Sequence, residues 1–252
     1  MRHRHLHPWQ VTPAEAAEIQ RRLRTRVRRE SARAAPFSTV AGMDVSYDRR
    51  SPVLFAALVV LRLPDLTCID AIQVEAEAAF PYVPGLLSFR ECPAGLQAWE
   101  RLRTRPDCVI CDGHGYAHPR RFGFASHFGL LTDVPTIGVG KSVLVGEYQP
   151  PRSGRGSRTD LVDAGEVIGA ALRTRGGAAP IFVSIGHRVD LPLAVETVLA
   201  CSPRYRIPEP IRQAHALVNQ LREARSAPLI APLPGPGETQ GGCARARGTI
   251  SR

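Results

Sequence analysis

Residues 39–76 read TVAGMDVSYDRRSPVLFAALVVLRLPDLTCIDAIQVEA, and the fold turns on how that stretch divides. Runs of Val, Leu, Ile, Phe and Thr, interrupted by DRRSP and by Pro64-Asp65, give three strands at Thr39–Tyr47, Val53–Leu63 and Thr67–Ala76. Connections this short can only join antiparallel neighbours, so the three make a meander. Upstream, Thr12-Pro13-Ala14-Glu15 is a capping box with proline at the first helical position. The arginine-rich helix it opens is expected to reach about Arg33, with Ile19, Leu23 and Val27 as its apolar stripe. Downstream, helical spacing from about Leu87 to Arg103 leads into an alternation of strand and helix. Strands are expected at Cys108–Cys111, Thr136–Val139, Val167–Arg173 and Ile181–Ile185, and helices at Pro119–Leu131, Leu191–Ala200 and Glu209–Arg222. Gln149–Thr159 (QPPRSGRGSRT) reads as a basic loop. A meander followed by this alternation predicts an α/β mixed sheet with helices on both sides.

The 252 residues, 44% hydrophobic and 22% charged, suit one large domain, expected over 12–226. The His/Arg-rich start (1–11) is expected to be a flexible, frayed end, and the Pro/Gly-rich tail (227–252) to be disordered. Nothing in the chain resembles a membrane span or a signal peptide, so a cytoplasmic protein with no membrane association is expected. The formal charge of +10 and pI near 10.0 point to a polyanionic partner, usually nucleic acid. An arginine-rich composition alone would raise the charge in the same way. Lys141 is the single lysine among 33 basic residues. Six cysteines lack a framework spacing, which fits reduced thiols, and the C-x-x-C of Cys108 and Cys111 lies in an apolar run that reads as a strand rather than a zinc or redox motif.

Carboxylates set within apolar strands are the unusual feature. Asp44 stands inside VAGMDVSY, and Asp112 ends CVICD before Gly-His-Gly. On adjacent parallel strands the two would be close, a costly arrangement unless a cation neutralises it. Hard divalent ions choose such oxygens, and Glu91 is a plausible third ligand. The alternative is that Asp44 and Asp112 are a strand-end cap and a turn residue. GVGKS has Pro135 where a nucleoside-triphosphate loop needs glycine, which leaves Lys141 as a point charge for a phosphate. Pro81-Tyr82-Val83-Pro84 is a stiff turn carrying one aromatic ring, which could serve as a wedge between bases. His114, His118, Arg120 and Arg121 follow Asp112 closely; His215, on its own, reads as a helix-surface residue.

Taken together, FSTVAGMDVSY, PYVPGLLSFRE, DGHGYAHPRRFGFASHFGLLTDVPTIGVGKS, VIGAALRTR, VSIGHRVDL and YRIPEPIRQAH are similar to the endonuclease V family, in the right order over approximately Thr12 to Leu221. The resemblance implies a ribonuclease H-like fold. It implies cleavage at the second phosphodiester on the 3′ side of inosine, using Mg²⁺ with Mn²⁺ able to substitute, in DNA repair. By motif, Asp44, Glu91 and Asp112 become the metal carboxylates, with Lys141 and His215 supporting the phosphate and the metal site. Tyr82 becomes the strand-separating wedge within Pro81–Pro84. Gly85, Leu87, Gly113 and Gly138 become the lining of a pocket for the extruded base, and His118 a contact to the substrate strand. The expected partner is inosine-containing nucleic acid, DNA first, bound by a monomer. Rival readings are an inosine-specific ribonuclease, a structure-specific or non-selective nuclease of the same superfamily, and a non-catalytic basic nucleic-acid-binding protein.

Overall fold

The computed structural model describes residues 1–31, 36–48 and 51–226. The meander is present with nearly the expected bounds: β1 (Thr39–Tyr47), β2 (Val53–Arg62) and β3 (Thr67–Glu77), paired antiparallel. It continues through β4 (Cys108–Asp112), β5 (Thr136–Gly140), β6 (Glu147–Tyr148), β7 (Arg158–Asp163), β8 (Glu166–Leu172) and β9 (Ile181–His187) into one sheet of order β3-β2-β1-β4-β5-β9-β8-β7-β6. Among the described residues the parallel pairings are β1 with β4 and β4 with β5; β9 returns antiparallel against β5.

β2 shows why the centre of the sheet is so apolar. Leu54, Ala56, Leu58 and Val60 pack in the cluster that holds α2 (Leu87–Arg101) and α3 (Phe124–Thr132). Val53, Phe55, Ala57, Val59 and Leu61 pack with Ala214 and Val218 of α5 (Glu209–Ser226). A strand covered on both faces needs no polar alternation. On that second face α4 (Leu191–Ala200) covers β5, β8 and β9. Cys111 belongs to the first cluster and Cys108 to the second, so the two thiols point to opposite faces and cannot share an ion. Among the described residues no helix is long and apolar enough to cross a membrane.

Four local expectations are corrected. The first helix, α1 (Pro13–Leu23), has its capping box but gives way to a 3₁₀ turn at Arg24–Arg26 and then to extended chain; Arg33 lies outside the described residues. The segment from Pro119 to Gly123 is turn, so α3 begins only at Phe124. The basic loop is shorter than expected, because β7 starts at Arg158 and pairs with β6. The His-rich start is not frayed: Arg4 N donates to Leu131 O at 2.7 Å, Trp99 Nε1 donates to Arg2 O at 3.2 Å, and Leu6 and Trp9 pack on the core. The tail from 227 lies outside the described residues.

Candidate active site

Parallel pairing puts Met43 of β1 opposite Cys111 of β4, so the next residues, Asp44 within β1 and Asp112 at the carboxyl end of β4, stand side by side. In open α/β sheets that end is where ligands bind. Lys141 follows directly on β5, the next parallel strand, and its Nζ lies 2.5 Å from Asp112 Oδ2. His215 comes from α5, its Nδ1 2.7 Å from Asp44 Oδ2. Glu91 is carried by the second turn of α2.

Two glycines make these approaches geometrically feasible. A Cβ on Gly42 would sit 2.0 Å from the Pro210 carbonyl carbon, so its absence lets α5 lie directly on β1 and brings His215 to Asp44. A Cβ on Gly95 would sit 1.8 Å from Met43 Cε; Gly95 shares a helix face with Glu91, four residues earlier, and lets α2 press against β1.

The electrostatics are those of an acidic cluster short of positive charge. Burial, then the negative charges of Asp44 and Asp112, push the Glu91 carboxyl up to about 8. Asp44, 6% exposed, is also raised, first by burial and then by Asp112, with His215 and Lys141 acting the other way. The donor set is all carboxylate oxygen, the chemistry a hard divalent cation takes. Among the described residues no three such side chains close on one point as they stand, since Asp44 is turned to His215 and Asp112 to Lys141. The residue types and the repulsion between them fit a cation.

Beside this cluster opens a pocket of about 150 Å³. Gly85, Leu87 and Gly113, named from the sequence as lining, border it together with Tyr82, Pro84 and His118. Tyr82 is 69% exposed at its rim. Gly85 and Gly113 hold φ values of 76° and 153°, conformations that side chains rarely adopt. Gly138, expected in the lining, and Pro81, expected to bind substrate, do not border the pocket. Pro81 is exposed outside the pocket, and Gly138 packs behind it, where a Cβ would meet Gly115 N at 2.4 Å and Gly113 O at 2.7 Å. His118 differs in its surroundings. It is 3% exposed, its Nε2 donating to Gly85 O at 2.9 Å while its Nδ1 accepts from Arg120 N at 3.1 Å. Burial pushes its pKa down to about 4, so the ring is a neutral brace for the Gly85 loop.

Sequence reasoning missed Gln20. It donates to Gly85 O and to Phe122 O, both at 3.0 Å, and with Arg120, which donates to Gly85 O at 2.7 Å, it pins the pocket loop to α1. The signal was present: Ala16, Ile19, Gln20 and Leu23 are the buried positions of α1, and a glutamine in such a stripe needs partners. Ser88, also in the pocket wall, was missed as well.

Comparison with known proteins gives this geometry a family. The sequence model of endonuclease V matches residues 21–216. A curated endonuclease V of Roseiflexus sp. (strain RS-1) is 53% identical over 218 residues, spanning 86% of this chain and 97% of the relative. The crystal structure of endonuclease V from Streptomyces avermitilis superposes with a TM-score of 0.83 at 44% identity, over 87% of this chain and 96% of that one. Endonuclease V of Ciona intestinalis, solved with a 23mer DNA containing an inosine followed by a ribo-adenosine, has a TM-score of 0.77 at 28% identity, over 85% and 100% of the two chains. The mixed sheet is thus the ribonuclease H-like sheet of these structures, and the protein belongs to the endonuclease V family of nucleases.

Proposed function

We propose that this protein is a divalent-metal-dependent endonuclease that takes an inosine base into the pocket and hydrolyses the second phosphodiester on its 3′ side. The observation that carries this reading is that pocket and carboxylate cluster share two short segments. Leu87 and Ser88 line the pocket one turn before Glu91 on α2, and Gly113 lines it directly after Asp112. A base held in the pocket therefore brings its own backbone to the carboxylates.

In this reading Asp44, Glu91 and Asp112 hold Mg²⁺, or Mn²⁺ in its place. When bound, the ion supplies an activated water and charge neutralisation on the phosphate. His215 fixes the orientation of Asp44 through the 2.7 Å contact. The Lys141 ammonium, half-exposed beside Asp112, is placed to offset charge developing on the phosphate. Tyr82 at the rim fills the gap left by the extruded base, and Gln20, His118 and Arg120 keep the Gly85 loop in shape to receive it. The net charge of +10 favours the polyanionic strand.

The test compares matched strands carrying inosine or adenosine, in DNA and in RNA, with Mg²⁺ and with chelator. Cutting of inosine-DNA only, with Mg²⁺ only, is the expected result. Stronger cutting of inosine-RNA would assign the same site to a ribonuclease, and equal cutting of adenosine strands would make the enzyme non-selective.

A further inference from the structure

Behind the pocket wall runs a line of hydrogen bonds whose direction can be worked out from its outer end. His7 Nδ1 lies 2.8 Å from Pro8 O; His7 Nε2 lies 2.7 Å from His127 Nε2; and His127 Nδ1 lies 2.9 Å from Ser88 Oγ. His127 is fully buried, stacked on Trp9 and tilted against Phe89 and Phe122, and Ser88 is 2% exposed. A carbonyl oxygen only accepts, so His7 Nδ1 carries its proton. Burial lowers the pKa of both histidines, His127 far below the usual value, so each ring is neutral and has one N–H. His7 Nε2 is then bare and accepts from His127 Nε2–H. That leaves His127 Nδ1 bare, and it accepts from the Ser88 hydroxyl. The Ser88 proton is committed away from the pocket, and what remains on the oxygen is lone pairs.

We infer that Ser88 Oγ is an acceptor-only group in the wall of the base pocket, held in that polarity by His127 and His7, and that it selects a base bearing a ring N1–H. Hypoxanthine, the base of inosine, has a donor at N1, whereas adenine has an acceptor there. A wall that can only accept bonds the first and repels the second, so one group gives both attraction and rejection. A serine free to rotate would accept from one base and donate to the other, and would discriminate poorly. His127 and His7 are positioning residues here. The docking of the amino-terminal segment acquires a purpose in base selection, because Pro8 O is the terminal acceptor that sets the direction of the whole line and His7 passes it on. The inference rests on the inosine-cleaving activity proposed above.

The experiment is a cycle of two changes read by single-turnover cleavage at saturating enzyme. Wild type and Ser88→Ala are each tested on an inosine strand and on a 1-deazainosine strand, in which a C–H replaces N1–H. Wild type should cut the deaza strand on the order of tenfold more slowly, the loss of one hydrogen bond to a buried acceptor. Ser88→Ala should lose a similar factor on inosine and show little further loss on the deaza strand. Losses that multiply would overturn the contact. Failure of wild type to cut any inosine strand would instead strike the activity reading. Independently of cleavage, ¹⁵N NMR of the wild-type imidazoles should find His127 protonated on Nε2 and bare on Nδ1; the opposite tautomer would overturn the polarity.

Discussion

At the scale of single residues, the charge economy of this chain isolates Lys141. An ordinary basic surface position is filled by arginine throughout the sequence, yet the group 2.5 Å from Asp112 Oδ2 is a lysine. A compact ammonium fits beside a carboxylate cluster where a planar guanidinium with its fork of donors does not. Lys141→Arg should therefore leave substrate affinity nearly unchanged and slow single-turnover cleavage roughly tenfold or more, about 1.4 kcal/mol of transition-state stabilisation. Wild-type rates from that variant would show that charge alone suffices. Tyr82, exposed at the pocket rim, belongs to the same scale. If its ring stacks against bases, worth on the order of 1–3 kcal/mol, Tyr82→Ala should weaken binding to inosine in duplex DNA more than in single-stranded DNA. Equal losses on both would make it a residue of the turn and nothing more.

At the scale of elements, two close approaches decide where His215 and Glu91 stand, and they differ in how much they can yield. The neighbour of Gly42 is Pro210 backbone, which is fixed, whereas the neighbour of Gly95 is the terminal methyl of Met43, which can swing away. Overpacking costs typically 1–3 kcal/mol, while a helical Gly→Ala gains up to about 1 kcal/mol in propensity. Gly42→Ala should fall near or above the upper end of that cost and displace His215 from Asp44, and Gly95→Ala should stay close to neutral. Urea midpoints of the two variants give the order, and equal midpoints would contradict it. What could be read from the sequence follows the same physics. The meander and the parallel pair were legible because apolar strand runs and a charge set inside one of them are local signals. The end of α1 was not, because Arg24, Arg26, Arg28 and Arg29 have good helix propensity, while the extended chain after the break bonds to distant residues, Arg28 N to His187 Nδ1 and Arg188 N to Arg28 O. Nor was β7, whose residues Arg158 and Thr159 share the polar, glycine-rich character of the loop before them. The docked amino-terminal segment depends on contacts to Trp99, His127 and Leu131, about a hundred residues away, which no local pattern records.

At the scale of the whole molecule, buried neutral histidines set the response to acid. His118 and His187 are both lowered to about 4, by burial first in each case, and burial also holds His127 well below the usual value. Above the unfolded value of about 6.5 neither state binds the proton and the histidines add nothing. Between about 6.5 and 4 the unfolded chain binds protons that the folded one refuses, so stability falls as pH falls. Each of the two could remove up to about 3 kcal/mol by pH 4, against a domain total of roughly 5–15 kcal/mol. Glu91, raised to about 8, works the other way, because the folded chain keeps a proton there that the unfolded chain releases above about 4.5. Unfolding followed by circular dichroism should therefore show His118→Gln losing less stability than wild type between pH 6 and pH 4, and parallel profiles would contradict the buried neutral state. The account as a whole joins a base pocket to a carboxylate cluster through Asp112-Gly113. Its most direct test is one gel: a 5′-labelled duplex with a single inosine, and its adenosine twin, each incubated with Mg²⁺ and either wild type or Asp112→Asn. The account predicts one product, cut two phosphodiesters 3′ of inosine, from wild type on the inosine strand alone, with Asp112→Asn still binding that strand but not cutting it. Cleavage by Asp112→Asn, or equal cleavage of the adenosine twin by wild type, would contradict it.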